Sequence, residues 1–170
     1  MWAKALDVQY FAEINGTACG AAALEMVYNY YGKSDVRQED IYNKYQEIEP
    51  EFGTISRIST ADLVSDAQSR GFKAFWNKVN YLDKDESLSV LKNYINHKIP
   101  VIVCQQWTKQ SPKIGHFRVV VDVNDNNVYF YDPESGLIKL STDQFMDYWQ
   151  PTGQNVTGGV YIIIEKINSL

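Results

Sequence analysis

The hydrophobic pattern of this chain changes period part-way along, and that change constrains the fold more than any other feature. From residue 99 onward the apolar residues come in short continuous runs: "IPVIVCQQW" (99–107), "HFRVVVDV" (116–123), "NVYFYDP" (127–133) and "GVYIIIEK" (159–166). Runs rich in β-branched and aromatic residues and bounded by Pro, Gly or Asn read as strands, and the turn-formers "NDNN" (124–127) join the middle two into a hairpin. Upstream the period is helical. In "INGTACGAAALEMVYNYYG" (14–32), Ala21, Leu24, Val27, Tyr28 and Tyr31 make one stripe at ~100° per residue, with Ala23, Met26 and Tyr30 widening it. Only Glu25 and Asn29 mark a polar edge, so this is a buried helix. Thr17 is the expected N-cap and Gly32 the C′ residue. Shorter helices are expected at 37–45, 59–71 (capped by Ser59 or Thr60), 87–97 and 142–149. Helices first and an antiparallel sheet second make an α+β fold.

Composition narrows the function classes. The 170 residues suit one domain spanning 1–170, with no repeat or linker to divide it. A net charge of −5 argues against a nucleic-acid partner, which selects for a basic face. No run approaches the ~18 apolar residues of a membrane span. Asp7 and Glu13 interrupt the N-terminal apolar residues, unlike a secretory signal, and the chain reads as cytoplasmic with reduced thiols. Its two cysteines, Cys19 and Cys104, form no disulfide framework and show no zinc-ligand spacing. "DVNDNN" lacks the later Glu and Gly of a calcium loop and reads as a turn. No cofactor or metal is expected.

The residues that bear chemistry are few. A cysteine nucleophile needs a base, and the base needs an orienting group. Cys19 falls in the first turn of the long helix, where free N–H groups and the helix dipole lower a thiol's pKa; the alternative is a small hydrophobe packed in the core. Gly20 leaves room beside it. Of the two histidines, His97 lies in a polar helix-end loop and reads as surface, whereas His116 follows Gly115 and opens a strand. Asp132 closes the partner strand. If hairpin partners sum to an even number, such as 250, Arg118 opposes Asp132 and His116 becomes a diagonal neighbour on the same face; an odd sum separates the two. Alternatively, Asp132-Pro133 is a plain turn. Cys104 reads as core. Trp107 borders either a substrate groove or ordinary packing.

The stretches "VQYFAEINGTACGAAALEMVYNYYG", "TADLVSDAQSRGFKAF", "SLSVLKNYINHKIPVIV", "GHFRVVVDVNDNNVYFYDPESG" and "LSTDQFMDYW" resemble, in this order, the bacteriocin-processing cysteine peptidases. These are papain-like domains that cut double-glycine leader peptides, free-standing or fused to peptide exporters. The resemblance implies a papain-like fold with Cys19 as nucleophile, His116 as base and Asp132 as its orienter. Gly20, Trp107 and Gly115 are expected to meet substrate. It also implies a peptide or protein substrate and a functional link to a peptide exporter. One position departs from the pattern: the family carries a glutamine six residues before the cysteine, donating to the oxyanion, and here that position is Glu13. Gln9 is a poor substitute, being four residues further upstream. The expected function is a thiol peptidase acting on an extended peptide after a glycine pair. The alternatives are a weakened or inactive peptide-binding module, signalled by Glu13, and a transpeptidase or amide hydrolase of the same build.

Overall fold

The computed structural model describes residues 5–45 and 58–167 and, between them, the backbone of strands at 48–49 and 54–55. In chain order the elements are α1 (Cys19–Tyr30), α2 (Gln38–Tyr45), β1 (Ile48–Glu49), β2 (Thr54–Ile55), α3 (Thr60–Ser69), β3 (Lys73–Lys78), α4 (Lys84–Asn96), β4 (Val101–Gln106), β5 (Gly115–Val123), β6 (Asn127–Asp132), β7 (Gly136–Ser141), α5 (Thr142–Tyr148) and β8 (Val160–Glu165). Six strands form one antiparallel sheet in the order β3-β8-β4-β5-β6-β7. Helices α1 and α3 pack on one face, and α4 and α5 on the other.

The long helix is buried, as its apolar arc requires: Cys19 through Tyr28 are all inaccessible. Its end also follows the sequence. Gly32 takes φ +86°, its N–H donates to Asn29 O, and Lys33 N–H reaches Tyr28 O, the pair of bonds of a Schellman motif. Two details differ. Glu25 is not a solvent edge but is 2% exposed, accepting from Arg37 Nε at 2.9 Å and Gln38 Nε2 at 3.2 Å. Nor does Thr17 cap the helix. Its hydroxyl and backbone N–H both donate to Asn15 Oδ1 at 2.9 Å, and Ala18 occupies the N-cap position without a side-chain cap.

The other helices begin where their caps dictate. Ser59 accepts from Asp62 N–H, Asp83 from Glu86 N–H, and Ser141 forms a reciprocal capping box with Gln144. Asp83 starts α4 three residues before the apolar periodicity does. Strands β3 and β7, which no apolar run marks in the sequence, are the two edges of the sheet.

The β5–β6 hairpin carries an irregularity that matters for the site. Next to the turn, Asp122 pairs with Tyr129 and Val123 with Val128; further in, Val120 pairs with Phe130 and Val119 with Tyr131. The partner sum thus drops from 251 to 250 across a one-residue bulge at Val121. Left outside the ladder, the Val121 carbonyl accepts from Leu6 N–H at 3.2 Å, so the N-terminal segment closes over the bulge.

Candidate active site

Cys19 is the first residue of α1 and is 2% exposed. Thr17 bonds to Asn15 and to the Tyr42 hydroxyl instead of capping α1. At this position the thiol meets the positive end of a buried helix, which favours its ionised form.

His116 and Asp132 meet as the even register requires. His116 Nε2 lies 2.9 Å from Asp132 Oδ1, and both side chains are buried. Had the register of the turn continued inward, Asp132 would oppose Val119 and face away from His116; the bulge brings the two to one face. The carboxylate is fully engaged. Oδ1 also accepts from Glu134 N–H at 2.8 Å, and Oδ2 accepts from Arg118 Nε at 2.8 Å. Arg118 is 5% exposed. Its Nη1 donates to Gln105 Oε1 and Gln106 O, and its Nη2 to Trp107 O, while its plane lies over Tyr148 and Phe130. This guanidinium holds Asp132 from the side opposite His116. The sequence marks it only as the residue opposite Asp132; its remaining partners come from β4 and the loop after it, which no local spacing reveals.

These contacts set the charges. Burial alone lowers the His116 pKa, but the hydrogen bond to Asp132 and the nearby Cys19 thiol outweigh it and carry it up to about 9. Burial likewise penalises the Asp132 carboxylate, yet its bond to His116 and the charges of His116 and Arg118 hold it well below the usual range. With Nε2 bound to Asp132, Nδ1 is the nitrogen left for the sulfur. The arrangement suits a thiolate–imidazolium pair oriented by a carboxylate.

Glu13 is held from both sides. Its backbone N–H donates to Pro133 O at 2.9 Å, and Tyr10 Oη donates to the same carbonyl at 2.9 Å. Gln38 brackets the position, donating to Ala12 O at 2.8 Å and accepting from Ile14 N–H at 3.0 Å. Since Gln38 also donates to buried Glu25, α1 and α2 together fix the Glu13 backbone. The Glu13 carboxylate lies with Glu134 and His116, their ligand atoms all within 4.8 Å of one another. Exposed Glu134 accepts from Trp107 Nε1 at 2.6 Å. Gln9, exposed and upstream, is not part of this cluster.

The glycines take different parts. A Cβ on Gly20 would press on Leu63 at 3.2 Å and Phe117 at 3.3 Å, so the packing of α1 on α3 and β5 favours glycine there. A Cβ on Gly115 would meet Cys104 Sγ and Asn155 O at ordinary contact distances. Cys104 is half-buried rather than sealed in the core. Burial and the neighbouring Cys19 push its thiol up to about 12, which leaves it inert. His97 is exposed at the end of α4, as expected.

A nucleophile-type cysteine at a buried helix start, with a histidine and aspartate on an adjoining hairpin, is the architecture of the papain-like peptidases. The family model described as "Peptidase_C39 like family" matches residues 5–157. The chain belongs to this C39-like family. No curated protein sequence matches it. Among solved structures it is similar to a double glycine motif protease from an AMS/PCAT transporter in complex with the leader peptide. That match has a TM-score of 0.68 and 20% identity, covering 96% of this chain and 94% of the other. The peptidase domain of Streptococcus ComA, a bifunctional ABC transporter, matches with a TM-score of 0.68 at 18% identity, over 95% of this chain and 100% of that domain. The peptidase domain of Streptococcus mutans ComA gives 0.57 at 18% identity over 91% and 97%. These likenesses establish the papain-like C39 fold. No helix among the described residues is long and apolar enough to cross a membrane.

Proposed function

We propose that this C39-like chain is a thiol peptidase that hydrolyses a peptide bond of an extended peptide, after a glycine pair. The carrying observation is the 2.9 Å contact from Asp132 Oδ1 to His116 Nε2, which leaves the opposite ring nitrogen for Cys19. In this reading the Cys19 thiolate attacks the scissile carbonyl, and the His116 imidazolium gives its proton to the departing amine. His116 then takes a proton from water, which cleaves the thioester and frees the acid. Asp132 fixes the imidazole, Arg118 fixes Asp132, and Glu13 lies at the oxyanion position. Trp107 and Gly115 border the substrate. The neighbours' membership in transporters supports a cytoplasmic chain that processes peptides bound for an exporter.

The test is a panel of glycine-ended leader peptides incubated with the chain and with Cys19→Ala, followed by mass spectrometry. Cleavage after the glycine pair by the wild-type chain alone is expected. Cleavage that survives Cys19→Ala overturns the assignment. A second reading, a peptide-binding module with weakened chemistry, is favoured by one observation: a carboxylate, Glu13, occupies the place of the expected glutamine donor. Binding of the panel without cleavage, together with iodoacetamide labelling of Cys19 no faster than that of an ordinary thiol, supports that module. Transfer of the acyl group to an added amine in preference to water marks a transpeptidase instead.

A further inference from the structure

Two carboxylates and one imidazole whose ligand atoms meet within 4.8 Å form a set of donors for a cation. Like charges this close repel, so Glu13 and Glu134 gain from a positive ion between them. The contacts behind the set match those that accompany bound metal: a ligating histidine gives its other ring N–H to a carboxylate, and a ligating carboxylate is itself held by a hydrogen bond. Here His116 Nε2 is bonded to Asp132 Oδ1 at 2.9 Å, and Trp107 Nε1 donates to Glu134 Oε2 at 2.6 Å. With Nε2 donating to Asp132, the neutral ring carries its lone pair on Nδ1, which is buried and is the nitrogen left to the Cys19 thiol, so an ion binds there by displacing the proton of the imidazolium. A mixed nitrogen and oxygen set suits zinc-class ions, whereas calcium and magnesium prefer oxygen alone.

We infer that Glu13, His116 and Glu134 bind a divalent transition-metal ion of the zinc class, and that the bound ion holds the enzyme silent. The three residues are far apart in sequence, so no local ligand spacing betrays them; the Glu13–Pro133 bond and the β5–β6 hairpin gather them. Ligands of tetrahedral zinc stand about 3.4 Å apart. Closing from at most 4.8 Å needs a shift of at most about 1.4 Å, within the reach of side-chain rotation at exposed Glu134 and half-buried Glu13. Zinc on Nδ1 displaces the proton that the imidazolium gives to the departing amine and occupies the lone pair that then takes one from water, so acid–base catalysis stops until the metal leaves. The inhibitory half rests on the peptidase reading, whereas the binding half does not.

The test titrates zinc chloride calorimetrically into the full chain after chelator wash and dialysis. One ion per chain is expected. Glu134→Gln and Glu13→Gln should each weaken binding at least about tenfold, and Trp107→Phe should weaken it within about 10–100-fold. Cys19→Ala should retain the affinity. Circular dichroism checks that each variant is folded, and exposed Glu134 is the safest of them. Binding that Glu134→Gln leaves unchanged, or that Cys19→Ala abolishes, is capture by a thiol and overturns the site. If lysine amide binds through Glu134 and zinc does not, the cluster is an ammonium subsite and the metal assignment fails. With any peptide the chain cleaves, zinc should stop cleavage and chelator should restore it, and Glu134→Gln should need about tenfold more zinc. Full activity with zinc bound overturns the inhibitory half. If no peptide is cleaved under any condition, the peptidase reading fails, while the calorimetry alone decides the metal site.

Discussion

At the scale of single residues, the proposed peptidase chemistry turns on Glu13 near neutral pH. An ionised carboxylate beside the scissile carbonyl repels the oxyanion that must form, whereas an amide N–H donates to it. One oxyanion donor is worth ~2.7–4 kcal/mol where it has been removed from other enzymes. Glu13→Gln should therefore raise kcat/KM about tenfold or more at pH 7. The advantage should narrow as pH falls towards the carboxylate range, where a protonated Glu13 donates as well; paired rate measurements from pH 5 to 8 check this. Asp132 demands a gentler substitution than alanine. Sequence alone suggests that Asp132→Ala harms activity more than folding, but the carboxylate also neutralises Arg118, which is 5% exposed. Alanine would strand that charge at a cost of about 3–5 kcal/mol and blur the two effects. Asp132→Asn keeps an acceptor while removing the charge that helps hold His116 up at about 9. The alkaline limb of the kcat/KM profile should then move down from about pH 9, towards the ordinary histidine range. An unmoved limb would mean that Asp132 does not tune the imidazole.

At the scale of elements, one buried carboxylate ties three helices together. Asp66 on α3 is inaccessible. It accepts from Tyr28 Oη on α1 at 2.6 Å and from Arg70 Nε at 2.8 Å, with Lys44 of α2 at 3.7 Å. Asp66→Ala leaves a buried hydroxyl and a half-buried guanidinium unpaired, and should cost about 3 kcal/mol in urea unfolding. Turnover per folded molecule should not change, because none of these groups reaches the site. Elements of this kind were legible to different degrees. The buried helix, the central strands and the hairpin showed in the sequence because burial writes itself as apolar periodicity. Strand β3 has one fully buried residue, Ala74, and β7 has none, so neither edge carries that signal. The first turn of α4 is charged and exposed, and only the capping chemistry of Asp83 announces it. For the site, residue type and strand parity brought out Cys19, His116 and Asp132. Arg118 at its buried fork and Glu134 beside His116 act through partners distant in the chain, and Gln38 works from a separate helix; no local pattern encodes such contacts.

At the scale of the whole molecule, the same charges shape stability against pH. His116 has a folded pKa raised from 6.5 to about 9. Its contribution is complete below pH 6.5 and is lost as pH rises through 9, on the order of 3 kcal/mol in all. Asp66 and Asp132 have folded pKa values lowered from 3.8, so their contributions are complete above that value and fade as pH falls below it. Thermal unfolding should therefore show a plateau between about pH 4 and 6.5 with a decline on either side, and His116→Ala should remove the alkaline decline selectively. The hairpin that joins these groups also has two independent counts along its length. At the Val121 bulge the phase of the turn is uncoupled from the phase of the site. A residue gained at the Asn124–Asn127 turn is taken up on the far side of the bulge. The same residue gained between His116 and Val120 would swing the imidazole to the opposite face of the sheet. Length is thus a free variable at one end of a single hairpin and a fixed inheritance at the other, so drift among chains of this build belongs at the turn.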